Sequence, residues 1–104
     1  MRFGRSKYGA KKTNGYHSKK EADRAAELHA MAKIGVITDL KEQVSFELVP
    51  KQDGERAVKY IADFQYTLPD GRVVTEDVKG FRTPVYVLKR KLLRYVHGIT
   101  IREV

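Results

Sequence analysis

Along the chain the spacing of apolar positions changes from helical to alternating and back again. Lys19 to about Lys33 is rich in Ala, Leu and Met, with Gly35 as a stop, and predicts a first helix. Ser18-Lys19-Lys20-Glu21 opens it as a capping box, a hydroxyl at the N-cap and a carboxylate three positions on. From Lys41 to Val49, Val44, Phe46 and Leu48 alternate with Gln43, Ser45 and Glu47, which reads as a strand ended by Pro50. Val58 to Leu68 alternates again. Val58, Tyr60, Ala62, Phe64 and Tyr66 take one face, and Lys59, Ile61, Asp63, Gln65 and Thr67 the other. Pro69-Asp70-Gly71 is turn chemistry, and Arg72 to Lys79 reads as a third strand. Thr83-Pro84 supplies an N-cap and a first turn for a second helix, which runs to about His97 and stops at Gly98. Ile99 to Glu103 is a last short strand. The order is α-β-β-β-α-β, which places the chain in the α/β class.

Length and composition narrow the picture. The 104 residues make one domain with one modest core. No cysteine is present, which excludes a disulfide scaffold, a cysteine nucleophile and any thiolate metal site. No apolar run approaches a membrane span, and the N-terminus lacks the apolar run of a secretory signal, so a soluble intracellular chain is expected. The net charge of +8 points to a polyanionic partner, foremost nucleic acid. That charge is uneven. Residues 1–17 hold Arg2, Arg5, Lys7, Lys11 and Lys12 and no acid, with Tyr8 and Tyr16 interleaved, and read as a basic arm ahead of a domain over 18–104. Lys89, Arg90, Lys91 and Arg94 form a second basic run. Both runs suit phosphate contacts.

The chemistry concentrates in the central hairpin. His17, His29 and His97 lack the spacing of a metal pair, and no phosphate-binding glycine loop or nucleophile elbow occurs. A three-residue loop with Gly71 in the left-handed position sets Leu68 opposite Arg72. Asp63 then falls opposite Asp77, with Lys79 two residues further on the same face. Two carboxylates about 5 Å apart repel. A divalent cation between them removes the conflict, and Mg²⁺ is the hard ion carboxylates select. A solvent-facing polar hairpin, with Lys79 neutralising Asp77, fits the same pattern.

Asp63 followed after a hairpin by Asp77-Val78-Lys79 resembles the PD-(D/E)xK nuclease signature. The wider string, from the basic arm through Ser-Lys-Lys-Glu-Ala, Tyr-Ile-Ala-Asp-Phe and Glu-Asp-Val-Lys-Gly-Phe, is similar to a phage and prophage group of small domains in that superfamily. The resemblance implies a restriction-endonuclease-like αβββαβ core with a mixed sheet flanked by helices. It implies a metal site of Asp63 and Asp77 joined by Glu21 from the first helix, with Lys79 as the catalytic lysine. Mg²⁺, with Mn²⁺ as a substitute, would be the cofactor, without a small organic one. Ile61-Ala62 stands where the superfamily name puts a proline before Asp63. Glu76 alternates away from Lys79, which leaves it a structural or surface role. Gln43 is a candidate for the same cleft. The implied activity is hydrolysis of DNA phosphodiesters, selective for branched or junction DNA. The layout is similar to phage and archaeal Holliday junction resolvases, which points to a homodimer, no membrane, and the cytoplasm of a phage-infected or prophage-bearing bacterial cell. A non-catalytic nucleic-acid-binding protein on the same fold is the alternative, and a small accessory protein binding protein partners is a third reading.

Overall fold

The computed structural model describes residues 15–104, so Arg2, Arg5, Lys7, Lys11 and Lys12 lie outside the described residues. The elements are α1 (Lys19–Lys33), β1 (Thr38–Val49), β2 (Val58–Thr67), β3 (Val73–Asp77), α2 (Pro84–His97) and β4 (Ile101–Glu103). They form one mixed sheet in the order β1-β2-β3-β4. β1, β2 and β3 are antiparallel neighbours, and β4 returns after α2 to lie parallel to β3. The architecture is α/β with the αβββαβ order that the residue pattern predicts. Among the described residues no helix is long and apolar enough to cross a membrane.

Both helices begin where their capping residues stand. Ser18 Oγ accepts from the Glu21 N–H at 3.0 Å, and Thr83 Oγ1 accepts from the Tyr86 N–H at 3.0 Å with Pro84 behind it. α2 closes on Gly98, whose φ of 71° is the left-handed cap that glycine adopts without strain. In the hairpin loop Leu68 N–H donates to Arg72 O at 2.8 Å and Gly71 N–H to Leu68 O at 2.9 Å. The ladder from Thr67–Val73 to Phe64–Glu76 keeps the register that this loop predicts.

Three boundaries differ from the sequence pattern by two residues or more. β1 starts at Thr38 rather than Lys41, carried through an irregular step at Asp39, whose φ is 52°. β4 starts at Ile101 rather than Ile99. β3 ends at Asp77, so Lys79 follows the strand instead of lying on it. The physical reason is local: the Asp77 side chain takes the Asp63 N–H and interrupts the ladder.

The apolar face of β2 is divided between two clusters. Phe64 and Tyr66 pack with Ala25 and Leu28 of α1, while Tyr60 and Ala62 pack with Leu93 of α2 and Ile101 of β4. Tyr16, assigned to the arm by sequence, packs on the first cluster and donates its hydroxyl to Glu42 Oε2 at 3.0 Å. Glu76 is fully buried, which settles its role as structural. Arg24 grips it with Nε at 2.9 Å and Nη2 at 2.6 Å, Tyr66 donates its hydroxyl, and Arg102 stands 3.9 Å away. Burial works against ionisation of Glu76, but these donors outweigh it and hold its carboxyl below the usual range. This pair ties α1 to the middle of the sheet.

Candidate functional site

At the end of the hairpin, Asp63 and Asp77 meet as the register requires. They do not confront each other bare. Asp63 N–H donates to Asp77 Oδ1 at 2.9 Å, and Val78 N–H donates to Asp63 Oδ2 at 2.9 Å. Each carboxylate caps the backbone beside the other, so backbone dipoles offset the repulsion that the opposed charges would suffer.

Asp77 is 1% exposed. Its Oδ2 accepts from the Tyr60 hydroxyl and lies 3.7 Å from Lys79 Nζ. Burial pushes its carboxyl above the usual range, against the pull of the Asp63 N–H and the Lys79 ammonium. Lys79 Nζ also sits 4.2 Å over the Tyr86 ring, where the π face stabilises a cation. The ring is held from behind, with Tyr86 OH donating to Glu103 Oε2 at 2.6 Å and Arg82 and Arg90 closing on the same carboxylate. Asp77 and Lys79 line a groove of about 290 Å³ between β2 and the start of α2. Lys59 and Lys89 line it as well.

Glu21 lies on the other side of Asp63. The capping box is half formed: Ser18 accepts from Glu21 N–H, but the Glu21 carboxylate faces Gln43 Nε2 at 3.4 Å. The same amide is 3.5 Å from Asp63 Oδ1. Gln43 therefore stands between the two acids. Counting along the β1–β2 register from Val44–Ala62 and Glu42–Phe64 puts Gln43 opposite Asp63. Its φ is 53°, a left-handed backbone that a non-glycine residue holds only at a cost of order 1 kcal/mol. Glu21 is 6% exposed, and its carboxyl is pushed up to about 7, by burial first and then by the Asp63 charge. Among the described residues, no three carboxylate or imidazole side chains are gathered closely enough to hold a metal ion as they stand.

The raised carboxyl gives Glu21 a measurable signature. Its folded value of about 7 exceeds the ordinary 4.5, so the fold binds a proton that the unfolded chain releases between those values. Stability from this group is present below pH 4.5 and is lost as pH rises towards and through 7. Gln keeps the volume and never ionises. Glu21→Gln should melt close to the parent at pH 4.5 in EDTA and above it at pH 8, by on the order of 1–3 kcal/mol. Equal melting temperatures at both pH values would remove the strained carboxylate.

The second basic run is not one face. Lys89 lines the Asp77–Lys79 groove, whereas Arg90, Lys91 and Arg94 line a separate cavity of about 410 Å³ with Thr100 and Ile101. Arg90 is partly committed to Glu103, 3.2 Å away. The histidines serve locally: His29 Nε2 meets Glu42 Oε2 at 2.5 Å, and His97 Nε2 meets Glu47 O at 2.6 Å. Residue patterns pass over Tyr60, Tyr86, Glu103 and Lys59. A signal existed for Tyr60, since a tyrosine on the core face needs a partner for its hydroxyl and the nearby acids provide one.

Fold and site define a small α/β protein with two aspartates and a lysine at the open end of its central hairpin. Residues 5–102 match the family described as "Protein of unknown function (DUF1064)", and the chain belongs to that family. No curated protein and no solved structure matches it.

Proposed function

We propose that the chain is a metal-dependent endonuclease acting on DNA, with Asp63, Asp77 and Lys79 at its centre and Glu21 beside them. The observation that carries this is the meeting of Asp63 and Asp77 at the hairpin end, with Lys79 Nζ 3.7 Å from Asp77 and both Asp77 and Lys79 opening on a groove also lined by Lys59 and Lys89. A groove of amino groups with a buried carboxylate suits a phosphodiester: lysines hold the anion, and the carboxylates stand where a cation or a water must be held. Glu21, Asp63 and Asp77 offer oxygen donors only, the set that selects Mg²⁺ and tolerates Mn²⁺. The chemistry such an ion supplies when bound is polarisation of a water and of the phosphoryl oxygens. The Glu21 carboxylate, whose charge the fold disfavours, would be stabilised by a dication held beside it and Asp63.

Lys79 is positioned to orient the attacking water and to offset charge on the phosphoryl group. The Tyr86 ring, anchored by Glu103, carries its ammonium, and Tyr60 holds the Asp77 carboxylate. Lys59 and Lys89 would take phosphates on either side of the scissile bond, fixing position without reading bases. The setting is the bacterial cytoplasm, and the substrate is DNA distinguished by shape.

A second reading has one observation in its favour. Both oxygens of Asp77 already have donors, so the site is satisfied without a metal, as a non-catalytic DNA-binding protein on this fold requires. Supercoiled plasmid separates the two. Nicking that needs Mg²⁺ and stops in EDTA is expected. Binding without nicking over a full Mg²⁺ and Mn²⁺ titration would leave only the second reading.

A further inference from the structure

Helix α2 is apolar on two sides. Tyr86 and Leu93 turn towards the second core cluster. Leu88 and Tyr95, seven residues apart, fall at 3.6 residues per turn on the side away from that core, while Val85 turns to the Asp77–Lys79 groove. Leu88 and Tyr95 are 58% and 88% exposed. The flanks between these two sides are cationic and differ. Lys89 lies on the flank that borders the Asp77–Lys79 groove. Arg90, Lys91 and Arg94 lie on the other flank, at the separate cavity closed by Thr100. The helix is thus a ridge with an apolar crest and a cationic flank on each side.

We propose that α2 is a branch-point ridge: two nucleic-acid strands diverge over it, one backbone on the Lys59–Lys89 side and the other on the Lys91–Arg94 side, with the crest against the unstacked base at the fork. The inference rests on the proposed DNA reading of the groove. Continuous duplex has no use for a crest of exposed Leu and Tyr, because its bases are stacked and inaccessible. A fork offers an open base face, on which apolar and aromatic side chains stack or wedge. The flanking cations choose a polyanion as occupant. They also oppose a second copy of the chain, which would bring Lys89, Lys91 and Arg94 against their own kind in a protein of net charge +8. Arg94 and Lys91 gain a role distinct from that of Lys89: they do not serve the scissile strand.

Binding alone tests this, with the full chain in EDTA so that no strand is cut. Fluorescence anisotropy would compare a forked DNA, a linear duplex and an unpaired strand of equal length, by competition. The parent should prefer the fork over the duplex by roughly tenfold, the scale of one stacked base. Leu88→Ser/Tyr95→Ser should lose most of that preference while holding its duplex affinity, and Tyr95→Ser alone should lose part of it. Lys91→Ala/Arg94→Ala should flatten the salt dependence for the fork by about 1.8, two phosphate contacts, and leave that for the duplex unchanged. Thermal melts confirm that each variant is folded. A crest variant that keeps the full fork preference overturns the ridge. So does a parent that sediments as a dimer and a crest variant that sediments as a monomer, because the crest then covers a second copy. A protein that prefers forks yet never nicks plasmid leaves the ridge standing and removes only the nuclease.

Discussion

Asp77→Asn is expected to abolish Mg²⁺-dependent nicking, by roughly 100-fold or more, while DNA affinity stays equal or rises. The substitution is nearly isosteric, so the hairpin keeps its shape. The Asn oxygen can still accept from the Asp63 N–H, which holds Asp77 Oδ1 at 2.9 Å in the parent. What changes is the other side of the group. Tyr60 and Lys79 both approach Asp77 Oδ2, and an amide nitrogen there repels the Lys79 ammonium and offers no charge to a dication. The free protein should be somewhat more stable at neutral pH, because a buried carboxylate whose ionisation is disfavoured has been replaced by a neutral group. Plasmid nicking across a Mg²⁺ titration, beside gel-shift affinity and a thermal melt, reads all three effects. Unchanged nicking in a folded variant would take Asp77 out of the chemistry.

Arg24→Ala should be the most damaging single change to the fold. It strips the two-pronged partner from Glu76, a carboxylate with no solvent exposure. Removing one member of a buried pair costs about 3–5 kcal/mol, since the other charge stays behind, here with only the Tyr66 hydroxyl and the more distant Arg102 to offset it. For a domain this small, the melting temperature should fall by roughly 10 °C or more. The pH dependence gives the cause away. In the parent, the Glu76 carboxyl lies below its ordinary 4.5, so its stabilising share is present above that value and lost on acidification. Without Arg24, burial dominates and pushes the same carboxyl upward, so the variant loses stability as pH rises. The gap between parent and variant should therefore widen from pH 4 to pH 7.5 in urea melts. A constant gap would mean that Arg24 acts through packing and not through the Glu76 charge.

The hairpin register was legible because Pro69-Asp70-Gly71 admits few loop geometries, and one register then follows for every opposed pair down to Asp63 and Asp77. Helix boundaries were legible because Ser18, Thr83 and Gly98 act within a few residues of themselves. Long-range pairings were not. Arg24 and Glu76 are 52 positions apart, and nothing local marks Glu76 as buried or Arg24 as its partner. A partial clue lay in the same register arithmetic, which sets Glu76 opposite Phe64 and so on the core side. The end of β3 was hidden for a related reason: alternation continues through Val78 and Lys79, while the ladder is cut by a side chain reaching across the sheet. The basic run at Lys89–Arg94 looks uniform in sequence, yet 100° of rotation per residue distributes it to two unlike surfaces. Glu21 is the mixed case. Its helix-opening position was plain, and its destination depended on where β1 delivers Gln43.

Gln43 carries a consequence for how such a protein can be altered. Its left-handed backbone would suit Gly or Asn better, and either would relieve a conformational penalty of about 1 kcal/mol. Neither would bridge Glu21 and Asp63, because the bridge needs the full length of the Gln side chain, with 3.4 Å and 3.5 Å contacts already near the limit of a hydrogen bond. At this one position thermostability and reach ask for different amino acids. Selection for heat resistance alone would shorten the side chain and part the two acids, and the sturdier protein would have forgotten what the residue was for.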